Sequence, residues 1–266
     1  MIDGKKIGLG LVTCDRYDYL IKSAFSLGEY GEILDYLVVV NDGKKLKSTK
    51  IPTKCFPNHD VIEHDMPYQG VAVSKNNVIR KCLENGCDYI FIMEDDMLIQ
   101  SPDIFQAYIT AMEESNIQHM NFAHHGKANY NGNIPIAKMT ATYATSSVTF
   151  FQNLIGAFSV YTKDCLLSIG NFDETYFNAM EHVDHTYQAS QLGFTSPFWW
   201  FADLTNSLDY IKEIEGSITN TTRVGDRRQN DINGIKYFEE KNGIHVSRVP
   251  NKTQSEVIEI LKDFKG

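Results

Sequence analysis

Short runs of consecutive apolar residues alternate with longer stretches of helical spacing through the first hundred residues. Lys5–Thr13 is an apolar run, followed by a helical stretch from Tyr17 to about Leu27. Tyr36–Val40 (YLVVV) is a second run, broken by Asn41-Asp42-Gly43, and Val61–His64 forms a possible third. Val71–Glu84 places Val71, Val78, Ile79 and Leu83 at helical spacing. Tyr89–Met93 (YIFIM) is a strand that runs into three acids, and Pro102 opens a helix over Ile104–Glu114. Uninterrupted apolar strands between helices predict a parallel sheet covered on both faces. Ligands of such sheets bind at the carboxyl ends of the strands. Thr13-Cys14-Asp15-Arg16, Asn41-Asp42-Gly43 and Glu94-Asp95-Asp96 all fall at predicted strand ends.

The second half is less regular. Met120–His125, Thr140–Phe151 and Ala157–Tyr161 read as strands, partly antiparallel. Lys163–Ile169 is a helix closed by Gly170, and Met180–Leu192 a helix closed by Gly193. Phe198–Phe201 reads as an aromatic strand, Ser217–Asn233 as a polar, turn-rich mobile loop, and Gln254–Phe264 as an amphipathic helix.

A chain of 266 residues accommodates one α/β domain. Its net charge of −9 lowers the expectation of a general nucleic-acid binder. The five cysteines are odd in number and lack zinc-knuckle spacing, which predicts reduced thiols. With no leader pattern and no apolar run of about 20 residues, the expected location is cytoplasmic.

The acidic triplet is the sharpest chemical signal. Alternation along a strand sends Glu94 and Asp96 one way and Asp95 the other. Close carboxylates repel unless a cation lies between them, and Mg²⁺ or Mn²⁺ combines carboxylate with phosphate oxygens. The competing reading is a solvated acidic turn at a helix start.

Here the chain resembles the GT-A fold glycosyltransferases, especially the family 2 type. FIMEDDMLI is similar to their acidic "DXD" element, with Glu in place of the first Asp. LVTCDRYDYL resembles the opening strand and turn, VVVNDG the second-strand element, and GVAVSKNNVIRKCLENGCDYIFIMEDD the helix leading into the acidic strand. IGAFSVYTKDCLLSIGNFDETYF and MEHVDHTYQASQLGF resemble the later segments, in the family's order. The resemblance implies a GT-A α/β fold with a mainly parallel central sheet and a small antiparallel flap. It implies a nucleotide-sugar donor, with UDP the first expectation, held by about residues 1–100. An acceptor (glycan, protein or modified nucleobase) would be held by about 101–266.

By the same resemblance, Thr13, Asp15 and Arg16 line the base pocket and Asp42 bonds the base. Lys75 and Asn76 face the donor, Glu94 and Asp95 belong to the donor site with Glu94 on the ribose, and Asp96 ligates Mn²⁺ or Mg²⁺. The family's catalytic aspartate falls at His182, so for an inverting transfer the acceptor base is Glu181 or His182, with Asp184 beside them, while a retaining transfer needs no such base. Glu181, Asp184 and His185 share a helical face by spacing. No histidine follows Phe201 where relatives complete the metal shell, which leaves Asp203 or Asp209, with His245 a weaker candidate.

Trp199, Trp200 and Phe201 favour core over sugar stacking, and Gly156 resembles the glycine that admits the acceptor. Arg223, Arg227 and Arg228 suit phosphate, with a plain exposed loop the preferred reading, and the adjacent His124 and His125 could reach the acceptor site but are expected to have no catalytic part. Three rivals remain. A nucleotidyltransferase lacks its glycine-rich basic loop here, and a zinc hydrolase lacks its third ligand. A degenerate transferase acting as a carbohydrate- or nucleotide-binding protein is the main alternative.

Overall fold

A computed structural model describes residues 1–28, 33–46, 56, 58–217 and 226–264. In chain order the elements are β1 (Ile7–Thr13), α1 (Tyr17–Gly28), β2 (Tyr36–Asn41), β3 (His59–Glu63), α2 (Val71–Glu84), β4 (Tyr89–Glu94), β5 (Met97–Ile99) and α3 (Asp103–Ser115). There follow β6 (His119–Asn121), β7 (Tyr130–Asn131), β8 (Ile134–Pro135), β9 (Ala137–Thr142), β10 (Ser147–Phe151), β11 (Phe158–Thr162), α4 (Lys163–Ile169) and α5 (Glu181–Gln191). The last are β12 (Phe201–Leu204), β13 (Ile211–Glu213), α6 (Arg227–Asn242) and α7 (Gln254–Asp263).

The central sheet has the order β3-β2-β1-β4-β11-β6. Its first four strands are parallel, and β11 is antiparallel to both neighbours. Strand periodicity divides the apolar residues between two faces. Leu9, Leu11, Leu37, Val39, Phe91 and Met93 join the core that includes Phe105 and Tyr108 of α3. Val38, Val40, Ile90 and Ile92 pack with Val78, Ile79 and Cys82 of α2. On that second face β1 carries glycines. A Cβ on Gly10 would lie 2.1 Å from Val78 Cγ1, and one on Gly8 2.7 Å from Cys82 Sγ. The helix therefore rests directly on the β1 backbone. A small antiparallel sheet, β12-β10-β9, forms the flap, with β13-β5 and the β7-β8 hairpin as two-stranded additions.

Three sequence expectations are corrected. Thr140–Phe151 is two strands, β9 and β10, because Tyr143–Ser146 turns back on itself. That turn has no Gly or Pro; it is held from outside by the Glu114 carboxylate, which accepts from the backbone and hydroxyls of Thr145 and Ser146. The aromatic run is a loop ending in a strand: Trp200 N–H turns back to Pro197 O, and β12 begins only at Phe201. The expected loop over 217–233 lies partly outside the described residues, Arg223 included. From Arg227 it is helix, capped by Asp226 and closed by left-handed Gly243. With little of α6 buried, its sequence shows no clear apolar stripe. No helix among the described residues is long and apolar enough to cross a membrane.

Candidate active site

The parallel order β2-β1-β4 sets three carboxyl ends side by side, with Thr13 paired to Asn41 and Val12 to Glu94 in register. A cavity of about 590 Å³ opens there, lined by Thr13, Arg16, Asp42, the three acids of the triplet, Gly156, Glu181 and His182 among others.

Two charge clusters occupy it. In the first, Arg16 Nη1 lies 3.3 Å from Asp95 Oδ1 and 3.2 Å from Asp96 Oδ2. Asp95 accepts from Thr13 Oγ1 at 2.5 Å, and His125 Nε2 is 3.3 Å from Asp96 Oδ2. The strand alternation expected for the triplet stops at Glu94, since Asp95 and Asp96 lie in a turn and meet one guanidinium. Burial pushes the Asp95 carboxyl up to about 7, against the pull of Arg16 and Thr13. Burial also works to raise Asp96, but His125 and Arg16 outweigh it and hold that carboxyl below its ordinary range. Burial would lower His125; Asp96 and the more distant Glu94 and Glu213 raise it.

In the second cluster Lys75 is 1% exposed. Its Nζ lies 3.0 Å from Glu181 Oε1 and 3.3 Å from Glu94 Oε1, and Glu181 Oε1 is 3.2 Å from His182 Nδ1. A chain of charge thus links the triplet to His182. Burial opposes ionisation of Glu181, yet Lys75 and His182 hold its carboxyl well below the usual range. Burial likewise opposes the Lys75 charge, and the two carboxylates overcome it. Gly156 has a steric reason: a Cβ there would sit 2.8 Å from Cγ of the His182 ring.

Other expected residues lie elsewhere or are already engaged. Asp42 lines the cavity, but its oxygens accept from Gln69 N and Gly70 N and meet His64 Nδ1. Asp15 is exposed and ties Lys44 N and Tyr68 Oη. Asn76 exchanges hydrogen bonds with the Phe172 backbone, and Asp184 clamps Lys241 and Asn242 of α6. His185 is buried between Tyr161 and Gly170 O. Asp203 is fully buried and accepts from Tyr108 Oη, Ala123 N, Leu204 N and Ser207 Oγ. Asp209 is exposed in a 3₁₀ turn, and His245 caps another. Trp199 and Trp200 donate to the C-terminal segment through Val249 O and Asn251.

Neither a family model nor a curated protein sequence matches this chain. Solved structures do. A Staphylococcus aureus TarS fragment superposes at TM-score 0.56 and 12% identity, over 97% of this chain and 80% of the fragment. GalNAc-T7, solved with UDP, GalNAc and Mn²⁺, gives 0.63 at 9% identity over 99% of this chain and 55% of its own. A mannosyltransferase of Pyrobaculum calidifontis, solved with GDP-Man and Mn²⁺, gives 0.51 at 13% identity over 73% of this chain and 55% of its own. The chain has the GT-A glycosyltransferase fold.

The GT-A fold raises the question of a divalent cation. Asp96 Oδ1 is buried and bonds nothing, and its other oxygen faces an imidazole nitrogen. Carboxylate with imidazole is a fitting donor pair. Among the described residues no third acidic, histidine or cysteine ligand completes a set, so the remaining positions suit substrate phosphate oxygens. His125, not weighed as a metal ligand from sequence, lies against Asp96, whereas Asp203 is engaged elsewhere and Asp209 is exposed. Its only sequence signal was polarity at the end of a predicted strand.

Proposed function

We propose that this protein is a glycosyltransferase that moves a sugar from a nucleotide-sugar donor, a UDP-sugar first, to a hydroxyl acceptor. The observation that carries the reading is the joining of an acidic phosphate-type site and a carboxylate–imidazole pair in one cavity. Structural neighbours solved with UDP, UDP-GlcNAc and GDP-Man support it. The strand ends of the first hundred residues take the donor, with Glu94 toward the ribose and Thr13 and Asp95 shaping the floor. The later residues take the acceptor, for which a glycan or protein is preferred over a hydroxylated nucleobase in DNA because the chain is acidic.

Asp96 and His125 would hold Mn²⁺ or Mg²⁺, which supplies Lewis-acid stabilisation of the departing nucleoside diphosphate. His182 takes the acceptor proton. Glu181 is ionised and paired with Lys75, so it is a weak base. Its carboxylate instead accepts from His182 Nδ1–H, which leaves Nε2 as the basic nitrogen.

A thermal-shift screen against UDP-, GDP-, CMP- and dTDP-sugars, with and without Mn²⁺, tests the donor reading, because a ligand of the folded state raises Tm. One nucleotide class should respond, and the same donor should be slowly hydrolysed. Binding without hydrolysis or transfer would make the protein a degenerate, nucleotide-binding member of the fold. No response to any nucleotide would end the donor reading.

A further inference from the structure

Arg16 is held in an unusual way. Its side chain is nine-tenths buried and its guanidinium lies over the Tyr19 ring at 4.4 Å. The ion pairs to Asp95 and Asp96 both use Nη1. Nε and Nη2 are buried and bond nothing. A guanidinium carries five N–H donors in a fixed fork matched to phosphate and carboxylate, and here the edge formed by Nε and Nη2 is idle. Across the pair, Asp96 Oδ1 is also buried and without a partner. Opposite charges meet here, yet the hydrogen bonding on both sides is incomplete, a costly condition for buried groups.

We propose that Arg16 is the resident counter-ion of the Asp95–Asp96 pair, and that a divalent cation displaces it only when a diphosphate arrives to receive the guanidinium. This rests on the reading of the cavity as a nucleotide-sugar site. It differs from a base-pocket role, because the ion pairs tie Arg16 to the acids and not to Asp42. A bare cation ligated by Asp96 would stand a few ångströms from a positive charge in a poorly solvated place, where repulsion is strong. A diphosphate removes that conflict. It offers oxygens to the idle edge in bidentate geometry and brings the ligands that complete the cation's shell. Asp96 Oδ2, the oxygen that Arg16 holds, is freed at the same moment. Metal and nucleotide therefore bind together, and Arg16 enforces their order.

The test is Mn²⁺ binding, read by EPR of the free ion, for wild type, Arg16→Gln and Arg16→Lys. Each is titrated alone and with UDP or GDP, after circular dichroism confirms the fold. Wild type should bind Mn²⁺ weakly alone and far better with the nucleotide. Arg16→Gln should bind Mn²⁺ alone at least about tenfold more tightly than wild type, a difference of roughly 1.4 kcal/mol. Arg16→Lys retains the charge without the fork. It should match wild type with Mn²⁺ alone, but bind the Mn²⁺–nucleotide pair at least about tenfold more weakly. It also serves if Arg16→Gln does not fold. Equal binding of Mn²⁺ alone by wild type and Arg16→Gln overturns the counter-ion role. An undiminished Mn²⁺–nucleotide affinity in Arg16→Lys overturns the transfer to phosphate. Tighter Mn²⁺ on Arg16→Gln with no nucleotide response in any protein supports the counter-ion role and rejects the donor reading instead.

Discussion

Lys75→Met isolates the energetics of the buried charge chain. The substitution keeps the aliphatic stem and removes an ammonium that touches Glu181 at 3.0 Å and Glu94 at 3.3 Å. The Glu94 side chain is 31% exposed and can recover water, whereas that of Glu181 is 4% exposed and cannot. Removing one partner of a buried pair costs about 3–5 kcal/mol. Glu181 retains His182, which favours the lower end, about 3 kcal/mol. At an m-value near 3 kcal/mol/M this moves the urea midpoint down by about 1 M. The decisive comparison is the double variant Lys75→Met/Glu181→Leu. Replacing a buried pair by apolar groups of similar size is often neutral, so the double variant should lie within about 1 kcal/mol of wild type. Urea unfolding at pH 7, followed by the fluorescence of Trp199 and Trp200, measures all four proteins. Additive losses, with the double variant less stable than either single one, would refute a coupled Lys75–Glu181 pair.

Three further outcomes follow from particular contacts. Gly156→Ala should push the His182 ring from its seat and cut donor-dependent transfer by about 10- to 100-fold at nearly unchanged Tm; wild-type initial rates would remove His182 from the mechanism. Asp203→Asn turns one acceptor oxygen into a donor facing Ala123 N–H and Ser207 Oγ. It should cost about 1–3 kcal/mol while leaving Mn²⁺–nucleotide binding intact, and loss of metal at unchanged stability would contradict the structural role. Burial lowers His119 to about 3 and His185 to about 4. Both are depressed in the folded state, so between about pH 4 and 6.5 the unfolded chain binds more protons and stability falls as pH falls. Asp95 and Asp203, raised by burial to about 7 and about 6, act in the opposite sense. The informative quantity is therefore the difference between two proteins. From pH 7 to pH 5, His119→Gln should lose roughly 2 kcal/mol less stability than wild type, and identical pH profiles would count against a neutral buried His119.

What was legible in the sequence was local periodicity and order. Val71–Glu84 and Lys163–Ile169 are helices at the expected residues, and the ends of β1, β2 and β4 meet as parallel strands must. What was not legible depends on partners distant in the chain. The turn that splits β9 from β10 is held by Glu114, about thirty residues earlier. Asp203 looked like a free acid because nothing nearby shows that Tyr108, Ala123 and Ser207 surround it. His125 looked idle because its partner, Asp96, lies on another strand end. The same logic governs the site's electrostatics. Glu94, Asp95 and Asp96 are adjacent in sequence, yet the fold gives them different cations, Lys75 to the first and Arg16 to the other two. The Lys75 side chain is fully buried with two carboxylates on its Nζ, whereas Arg16 keeps two nitrogens unpaired. One cation is therefore fixed as a strut between Glu94 and Glu181. The other is held through Nη1 and the Tyr19 ring, with Nε and Nη2 left for the diphosphate that we propose draws it away.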